Sequence, residues 1–311
     1  MMRNIKIVGC GAYLPNKIIK YGEDVRYRCS DGETQLDLAE IACENALADA
    51  KLSIRDIDCI VSASAVGVQP IPCTAALIHE RIAQGTSIPA FDINSTCTSF
   101  VTALDTMSYL IDAGRYNRVL IVASDMASVG LNERQKNSFE LFSDGACAFI
   151  FEHSDDKNQG VIASLQKTWS EGAHFTEIRG GLTAQVAKYY NESNRDDYYF
   201  DMDGKAVLSL TAKVLPQMMD EFLNKFQIQL SDIDFLVPHQ ASRVLPLIAK
   251  GIGFNEGQFI NYVKDYGNQV SVSIPFMLYL AIKEGRVTHG NTVFLVGTAA
   301  GLTTNMLLMR L

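Results

Sequence analysis

The sequence predicts an α/β fold built from two similar halves, and three of its features support this. Short apolar runs alternate with longer amphipathic stretches along the 311 residues. The apolar runs are continuous rather than interleaved with polar residues, which is typical of strands that are covered on both faces. Two short motifs also recur in the same order in each half of the chain.

In the first half, apolar runs are separated by stretches with helical spacing. The clearest example is the third helix, because Phe100, Leu104, Met107 and Ile111 recur at intervals that place them on one helix face. The predicted strands lie near 5–8, 58–65, 88–94, 118–124 and 145–151. The predicted helices lie near 35–50, 73–84 and 98–113.

The same alternation returns in the second half after a polar stretch, residues 152–160. We expect the chain to divide there into an N-terminal half, 1–155, and a C-terminal half, 156–311. The predicted strands of the second half lie near 161–168, 234–238, 258–262, 292–298 and 303–310. Its predicted helices lie near 204–226, 241–251 and 271–284.

The recurring motifs indicate an internal duplication. An Asp-Ile-Asp segment before an apolar strand occurs at Asp56 and again at Asp232, an offset of 176 residues. A Gly-Arg pair before another apolar strand occurs at Gly114 and again at Gly285, an offset of 171. This period is far longer than that of a solenoid repeat.

Composition and charge exclude several classes of protein. The formal net charge of −8 argues against a nucleic-acid or anionic-membrane partner, and an acidic carrier protein would need a local basic patch for docking. We expect no signal peptide and no membrane span, because no apolar run approaches the roughly 18 residues that a span needs. Seven cysteines without Cys-x-x-Cys spacing argue against a disulfide framework or a zinc site. The expected location is the cytoplasm.

Cys97 is the strongest candidate for chemistry. It follows the apolar run 88–93 and precedes the amphipathic stretch that begins near Phe100, so it lies where a buried strand turns into a helix. The first turn of a helix has free N–H groups and the positive end of the dipole, so we expect a lowered pKa for the Cys97 thiol. The same N–H groups could hold an oxyanion. The alternative is a simply buried cysteine.

Two further residues lie in corresponding contexts. His239 follows the predicted strand 234–238, at the carboxyl end where open α/β sheets bind ligands. Adding the offset of 171 to Cys97 gives Asn268, so the duplication predicts that Cys97 and Asn268 lie at matching helix starts. Taken alone, His239 could be structural, and Asn268 could be part of a turn with Gly267.

Taken together, these residues and their surroundings resemble the type III ketoacyl-acyl carrier protein synthases of the thiolase superfamily. The motifs that carry the resemblance span nearly the whole chain: Ala90-Phe-Asp-Ile-Asn-Ser-Thr-Cys97, Leu141-Phe-Ser-Asp-Gly-Ala146, Met202-Asp-Gly-Lys-Ala-Val207, Val237-Pro-His-Gln-Ala241, Tyr266-Gly-Asn268 with Ser273-Ile-Pro275, and Gly297-Thr-Ala-Ala-Gly-Leu-Thr303. The resemblance implies a thiolase-like, duplicated αβαβα five-layer fold and a homodimer. It also implies a catalytic triad of Cys97, His239 and Asn268.

The resemblance implies a decarboxylating Claisen condensation. Cys97 is acylated by a thioester, and backbone N–H groups of Cys97 and Ala300 hold the oxyanion. His239 and Asn268 then stabilise the enolate formed from a malonyl thioester. The substrates are phosphopantetheine or coenzyme A thioesters, and no metal or redox cofactor is needed. Two alternatives stay open: an acyltransferase that skips decarboxylation, and a non-catalytic partner subunit of a heterodimer.

The resemblance assigns the substrate-binding residues with less support. Ile71 aligns with a residue that reaches into the partner's pocket, whereas Phe142 and Met202 align with pocket walls and Gly204 shares the motif of Met202. Arg243 would meet phosphopantetheine or an acidic carrier helix. Ordinary core packing explains the three apolar residues equally well.

One departure from the family concerns the segment after Leu14-Pro15. Relatives usually carry there a Glu-Trp and an Arg-Thr-Gly-Ile that help to hold the adenine of coenzyme A, but this chain runs directly into Val25-Arg-Tyr-Arg28. Its only Trp, Trp169, lies far downstream. We therefore expect a carrier-bound or unusual acyl donor. Arg26 and Arg28 could keep part of the phosphate contact or simply be solvated.

Overall fold

Two mixed β-sheets form the centre of the computed structural model, which describes residues 2–311. The strands are β1 (Ile5–Tyr13), β2 (Lys17–Tyr21), β3 (Asp24–Arg28), β4 (Cys59–Ser62), β5 (Ala90–Asp92), β6 (Arg118–Asp125), β7 (Gly145–His153), β8 (Gly160–Thr168), β9 (Thr176–Glu177), β10 (Asp201–Met202), β11 (Phe235–Pro238), β12 (Thr292–Ala299) and β13 (Thr303–Arg310). The helices are α1 (Gln35–Ala50), α2 (Thr74–Ile82), α3 (Ser99–Asp112), α4 (Lys136–Phe139), α5 (Gly204–Phe226), α6 (Leu245–Gly251), α7 (Val263–Tyr266) and α8 (Ser273–Lys283).

The two large sheets have matching topologies. The first has the strand order β1-β7-β6-β4-β5, and the second has the order β8-β13-β12-β11 when read in the same sense. In both, the first two pairs of neighbouring strands are antiparallel and the next pair is parallel. A single parallel bridge from Leu236 to Phe259 stands where the first sheet has β5. The topology therefore repeats in the order that the sequence motifs predict.

Helices cover both sheets and make five layers. Helices α1 and α2 pack with the outer face of the first sheet, and α5 and α6 pack with the outer face of the second. Helices α3 and α8 lie between the sheets in the largest cluster of buried apolar residues, which draws on both of them. Because both faces of each sheet are covered, their central strands contain continuous apolar runs, such as Val293–Val296 in β12 and Met306–Met309 in β13.

The structure corrects the sequence prediction in three places. Residues 17–28 form the β2–β3 hairpin, which was not predicted. The strand predicted at 258–262 is reduced to the bridge at Phe259, and the helix predicted at 241–251 begins only at Leu245. The second correction concerns the surroundings of the fully buried Gln240. Its Nε2 donates to Ile260 O at 3.2 Å and its Oε1 accepts from Tyr262 N at 3.0 Å, so a side chain takes the place of a strand ladder.

Two further observations concern the residues that the structure describes. Within 2–311, no helix combines the length and the apolar character that crossing a bilayer requires. In the same range, no three His, Cys, Asp or Glu side chains cluster in a way that could hold a metal ion. All seven cysteines are free thiols.

Candidate active site

Cys97 lies in a single 3-10 turn, Thr96–Thr98, between β5 and α3. The backbone at Thr96 is left-handed, with φ of 53°, so the chain turns sharply just before the cysteine. The thiol is partly buried, and the backbone N–H groups of Ala300 and of Cys97 itself lie near enough to its sulfur to lower its pKa. The two N–H groups expected to form an oxyanion hole therefore converge on the expected nucleophile.

The expectation of a lowered Cys97 pKa is wrong for this structure. Burial raises the pKa of the thiol to about 12, and the nearby carboxylate of Asp125 adds to the increase. The two backbone N–H groups act in the opposite direction, but they are outweighed. The Cys97 thiol is therefore protonated near pH 7.

His239 follows β11 directly and is buried, with 4% of its surface exposed. Its backbone N–H donates to Val296 O at 2.8 Å, which extends the pairing of β11 with β12. Burial lowers the pKa of the imidazole to about 4, so the ring is neutral near pH 7. Within the described residues, Nδ1 of His239 is buried without a hydrogen-bond partner. A neutral ring cannot act as a cationic partner for a thiolate, but it can donate one hydrogen bond.

Asn268 is buried, and its side-chain amide has a fixed orientation. Its Oδ1 accepts from Val270 N at 2.8 Å and from the Ser273 hydroxyl at 3.4 Å. Its backbone pairs with the segment around Phe142, because Asn268 N donates to Leu141 O at 2.9 Å. With Oδ1 occupied, the Nδ2 group has no partner among residues 2–311 and is left as a free donor.

Contacts around Gly297 bring the parts of the site together. A Cβ on Gly297 would lie 2.8 Å from Thr98 Cγ2 and 3.4 Å from His239 Cβ, so the neighbour of Cys97 and the histidine both meet this residue. The turn Thr96–Thr98 also contacts the corresponding turn Val270–Val272, which follows Asn268. The Cys97 turn therefore lies beside both Gly297, which contacts His239, and the turn that follows Asn268.

The two turns are copies of one local structure. Thr96 and Val270 both have left-handed φ values, 53° and 54°. Their N–H groups donate to Asn94 Oδ1 and Asn268 Oδ1, each at 2.8 Å, and the helices that follow begin at Ser99 and Ser273. The offset is 174 residues throughout.

The repeat therefore corrects the predicted equivalence of Cys97 and Asn268. The structural counterpart of Cys97 is Ser271, and that of Asn268 is Asn94. The offset of 171 fails because it was measured at Gly114 and Gly285, beyond the helices, and α8 (11 residues) is three residues shorter than α3 (14 residues). In place of an oxyanion hole, the Ser271 turn faces Asp125, whose Oδ2 accepts from Ser271 N at 3.1 Å and from the Ser271 hydroxyl. Burial raises the pKa of Asp125 to about 6.

The expected acyl-pocket residues are distributed unevenly. Phe142 is buried beside Asn268, and its ring meets Phe200 edge to face with centroids 5.0 Å apart. Met202 is half-buried in β10, and Gly204 begins α5 at an exposed position. Ile71 is 84% exposed, so it forms no part of a pocket in its own chain.

Sequence reasoning missed three buried polar residues near the site, Asp24, Asp125 and Gln240, and it did not predict the partners of Arg26 and Arg243. Arg243 ion-pairs with Asp24 in the β2–β3 hairpin, and Asp24 also binds the fully buried Arg26. Asp125 and Gln240 were not singled out either. Asp24 and Arg26 are two residues apart, which places them on one face of a strand, and this spacing was the available signal.

Two family models match the chain at the regions that carry these residues. The model described as 3-Oxoacyl-[acyl-carrier-protein (ACP)] synthase III matches residues 91–169, and the one described as its C terminal matches residues 223–311. The curated beta-ketoacyl-[acyl-carrier-protein] synthase III of Clostridium perfringens is 30% identical over 329 aligned residues, which cover 100% of both chains. This chain belongs to the 3-oxoacyl-[acyl-carrier-protein] synthase III family. The predicted class, an acyl-thioester condensing enzyme of the thiolase superfamily, is thereby confirmed.

Solved structures confirm the predicted synthase III fold. The enzyme from Pseudomonas aeruginosa is 26% identical, with a TM-score of 0.85 over 99% of this chain and 98% of that one. The enzyme from Aquifex aeolicus is 24% identical, with a TM-score of 0.87 over 99% and 100%. OleA from Xanthomonas campestris, at 16% identity and a TM-score of 0.84, shares the fold over 99% of this chain and 98% of that one.

Proposed function

We propose that this chain condenses an acyl group held on Cys97 with a malonyl thioester, releasing carbon dioxide and forming a 3-oxoacyl thioester. In the first step, the Cys97 sulfur attacks the carbonyl carbon of the acyl donor. The oxyanion of the tetrahedral intermediate is held by the N–H groups of Cys97 and Ala300, which already converge on the sulfur. The thiol proton leaves with the departing thiol, so the step is proton-neutral and tolerates a raised pKa.

In the second step, the malonyl thioester loses its free carboxylate as carbon dioxide. The electron pair left behind forms an enolate whose negative charge lies on the thioester oxygen. Asn268 Nδ2 and His239 Nε2 donate to that oxygen, and the enolate carbon attacks the acyl carbonyl and displaces the Cys97 thiolate. The thiolate then takes up one proton from solvent and returns to the thiol. The histidine role requires the tautomer with its proton on Nε2.

The free Nδ2 of Asn268 is the observation that carries condensation over simple acyl transfer. Transfer onto and off Cys97 needs only the two backbone donors, so a further free side-chain donor would have no task. An enolate formed in a dry site needs such a donor, because a charge without hydrogen bonds is costly there. The neutral state of His239 supports the same role, since a neutral ring loses no charge when it donates.

The donor that we propose is carried by an acyl carrier protein. Two observations support a weak coenzyme A site: the β2–β3 hairpin occupies the segment that lacks the family's Trp, and the Arg26 guanidinium is fully buried. The only tryptophan, Trp169, donates to the Thr304 hydroxyl at 3.1 Å. Phe142 and Met202 would line the acyl chain, with Gly204 near the entrance.

We also propose a homodimer in which the exposed Ile71 enters the partner's pocket. The halves 1–155 and 156–311 would each contribute one side of the site, Cys97 from the first and His239 with Asn268 from the second. Free thiols throughout the chain favour the cytoplasm as its location.

The decisive experiment combines intact mass with carbon dioxide release. The protein is mixed with acyl-carrier and acyl-coenzyme A donors beside a Cys97→Ala variant, and the acylated enzyme then receives malonyl-acyl carrier protein labelled in its free carboxyl carbon. We expect a mass gain that is lost in the variant, followed by labelled carbon dioxide. A mass gain without release indicates an acyltransferase, and no gain with any donor indicates a partner subunit.

A further inference from the structure

The β2–β3 hairpin, residues Lys17–Arg28, holds two buried charges. Arg26 is fully buried and Asp24 is 6% exposed. Arg26 Nη2 donates to Asp24 Oδ2 at 2.9 Å, so the two charges compensate each other. Because a buried ion pair contributes little net stability, its other contacts are the better guide to its role.

Arg26 connects the two segments that flank Asn268. Its Nε donates to Glu140 O at 2.8 Å, and its Nη1 donates to Lys264 O at 3.1 Å. The next residue after Glu140 is Leu141, whose carbonyl oxygen accepts a hydrogen bond from the Asn268 backbone N–H at 2.9 Å. The Arg26 guanidinium therefore holds both the segment that precedes Asn268 and the segment with which Asn268 pairs.

Further contacts join the β2–β3 hairpin to the segments on either side of Asn268. A Cβ on Gly267 would lie 2.6 Å from Arg26 Cδ, so the residue before Asn268 rests directly on the arginine. Tyr27 stacks on Tyr266 with ring centroids 5.8 Å apart, and Tyr27 N donates to Ser143 Oγ at 3.1 Å. Displacing the hairpin would therefore displace the backbone on both sides of Asn268.

The same carboxylate reaches the histidine loop. Asp24 Oδ2 also accepts from Nη2 of Arg243, which lies four residues after His239. The Arg243 side chain is 63% exposed, whereas Asp24 is buried. The ion pair therefore attaches the loop after His239 to a buried carboxylate. Asp24 and Arg26 thus link the loops that carry the two proposed enolate donors, and neither contacts Cys97 in the structure.

We propose that Arg26, oriented by Asp24, is a positioning residue for the decarboxylation half-reaction, setting Asn268 Nδ2 and the His239 loop relative to each other. The proposal rests on the donor roles assigned above. Arg26 is fully buried and touches no substrate, so it acts through Asn268. The proposal predicts that a substitution in the β2–β3 hairpin lowers carbon dioxide release while Cys97 keeps its reactivity.

The test separates the two half-reactions in Arg26→Lys. Carbon dioxide release is measured from malonyl-acyl carrier protein labelled in its free carboxyl carbon, and Cys97 reactivity is measured by alkylation with iodoacetamide. We expect release to fall about tenfold to a hundredfold, as a small displacement of a reacting group produces, with alkylation nearly unchanged. A double variant, Arg26→Lys with Asn268→Ala, should release no less than Asn268→Ala alone, because both changes remove the same donor.

Arg3→Lys is the matched control. Arg3 is also buried and ion-paired, to Asp105 at 2.6 Å, but it binds α3 and β8 rather than the Asn268 segments. It should leave release and alkylation unchanged or lower them together. Equal losses of both activities in Arg26→Lys, full release in that variant, or additive losses in the double variant would overturn the proposal. Wild-type protein that releases no carbon dioxide would instead refute the proposed function on which it rests.

Discussion

The tight packing at Gly267 allows a prediction with a matched control. Gly267 has φ of 68° and ψ of −162°, a region that only glycine occupies readily, and forcing another residue into it costs about 1–3 kcal/mol. An alanine Cβ would also lie 2.5 Å from Leu141 O and 2.6 Å from Arg26 Cδ. Relieving such overlaps costs about 1–3 kcal/mol more. We expect Gly267→Ala to lose about 2–6 kcal/mol of unfolding free energy.

The control is Gly285→Ala. Gly285 has a similar φ of 70°, but a Cβ there would meet nothing within 4 Å, so only a backbone cost of about 1–2 kcal/mol is expected. Urea unfolding of both variants gives the difference. Because Leu141 O must move and it holds the Asn268 N–H, carbon dioxide release should fall in Gly267→Ala and not in Gly285→Ala. Equal unfolding free energies together with full release in Gly267→Ala would refute the packing described here.

Two further predictions concern pH. Because the pKa of Cys97 is about 12, the logarithm of its alkylation rate with iodoacetamide should rise by about one per pH unit up to about pH 10, with Cys97→Ala as the blank; a plateau near neutral pH would contradict a buried thiol. The pKa of His239 is lowered to about 4, so as the pH falls from about 6.5 to 4 the unfolded chain alone binds a proton at this residue. The contribution of His239 to the unfolding free energy therefore falls by about 3 kcal/mol in that window. Urea unfolding of His239→Gln should lack this loss. The pKa of Asp125 is raised to about 6, so Asp125 changes the unfolding free energy in the opposite direction, and equally in both proteins. If the difference in unfolding free energy between wild type and variant stayed constant across the window, a buried neutral imidazole would be refuted.

Local patterns in the sequence predicted the architecture and singled out the candidate residues for chemistry. Continuous apolar runs identify strands that are covered on both faces, and the positions of Cys97 and His239 follow from the ends of such strands. The raised pKa of Cys97 could not be predicted, because it depends on burial and on Asp125, which only the folded chain brings near. The charged segment 17–28 was not recognised as a hairpin, since a fully buried arginine is rare unless a partner such as Asp24 is present.

The paired turns at Asn94 and Asn268 show how one fold carries two uses of the same residue. Each asparagine accepts the same backbone N–H through Oδ1, but Asn94 Nδ2 donates to Ala65 O at 2.8 Å, whereas Asn268 Nδ2 has no acceptor among residues 2–311. The amide of Asn94 has both of its ends hydrogen-bonded, whereas the amide of Asn268 keeps a free N–H donor. In a duplicated protein, a free hydrogen-bond donor can therefore arise where a single acceptor carbonyl is absent, with no new residue introduced.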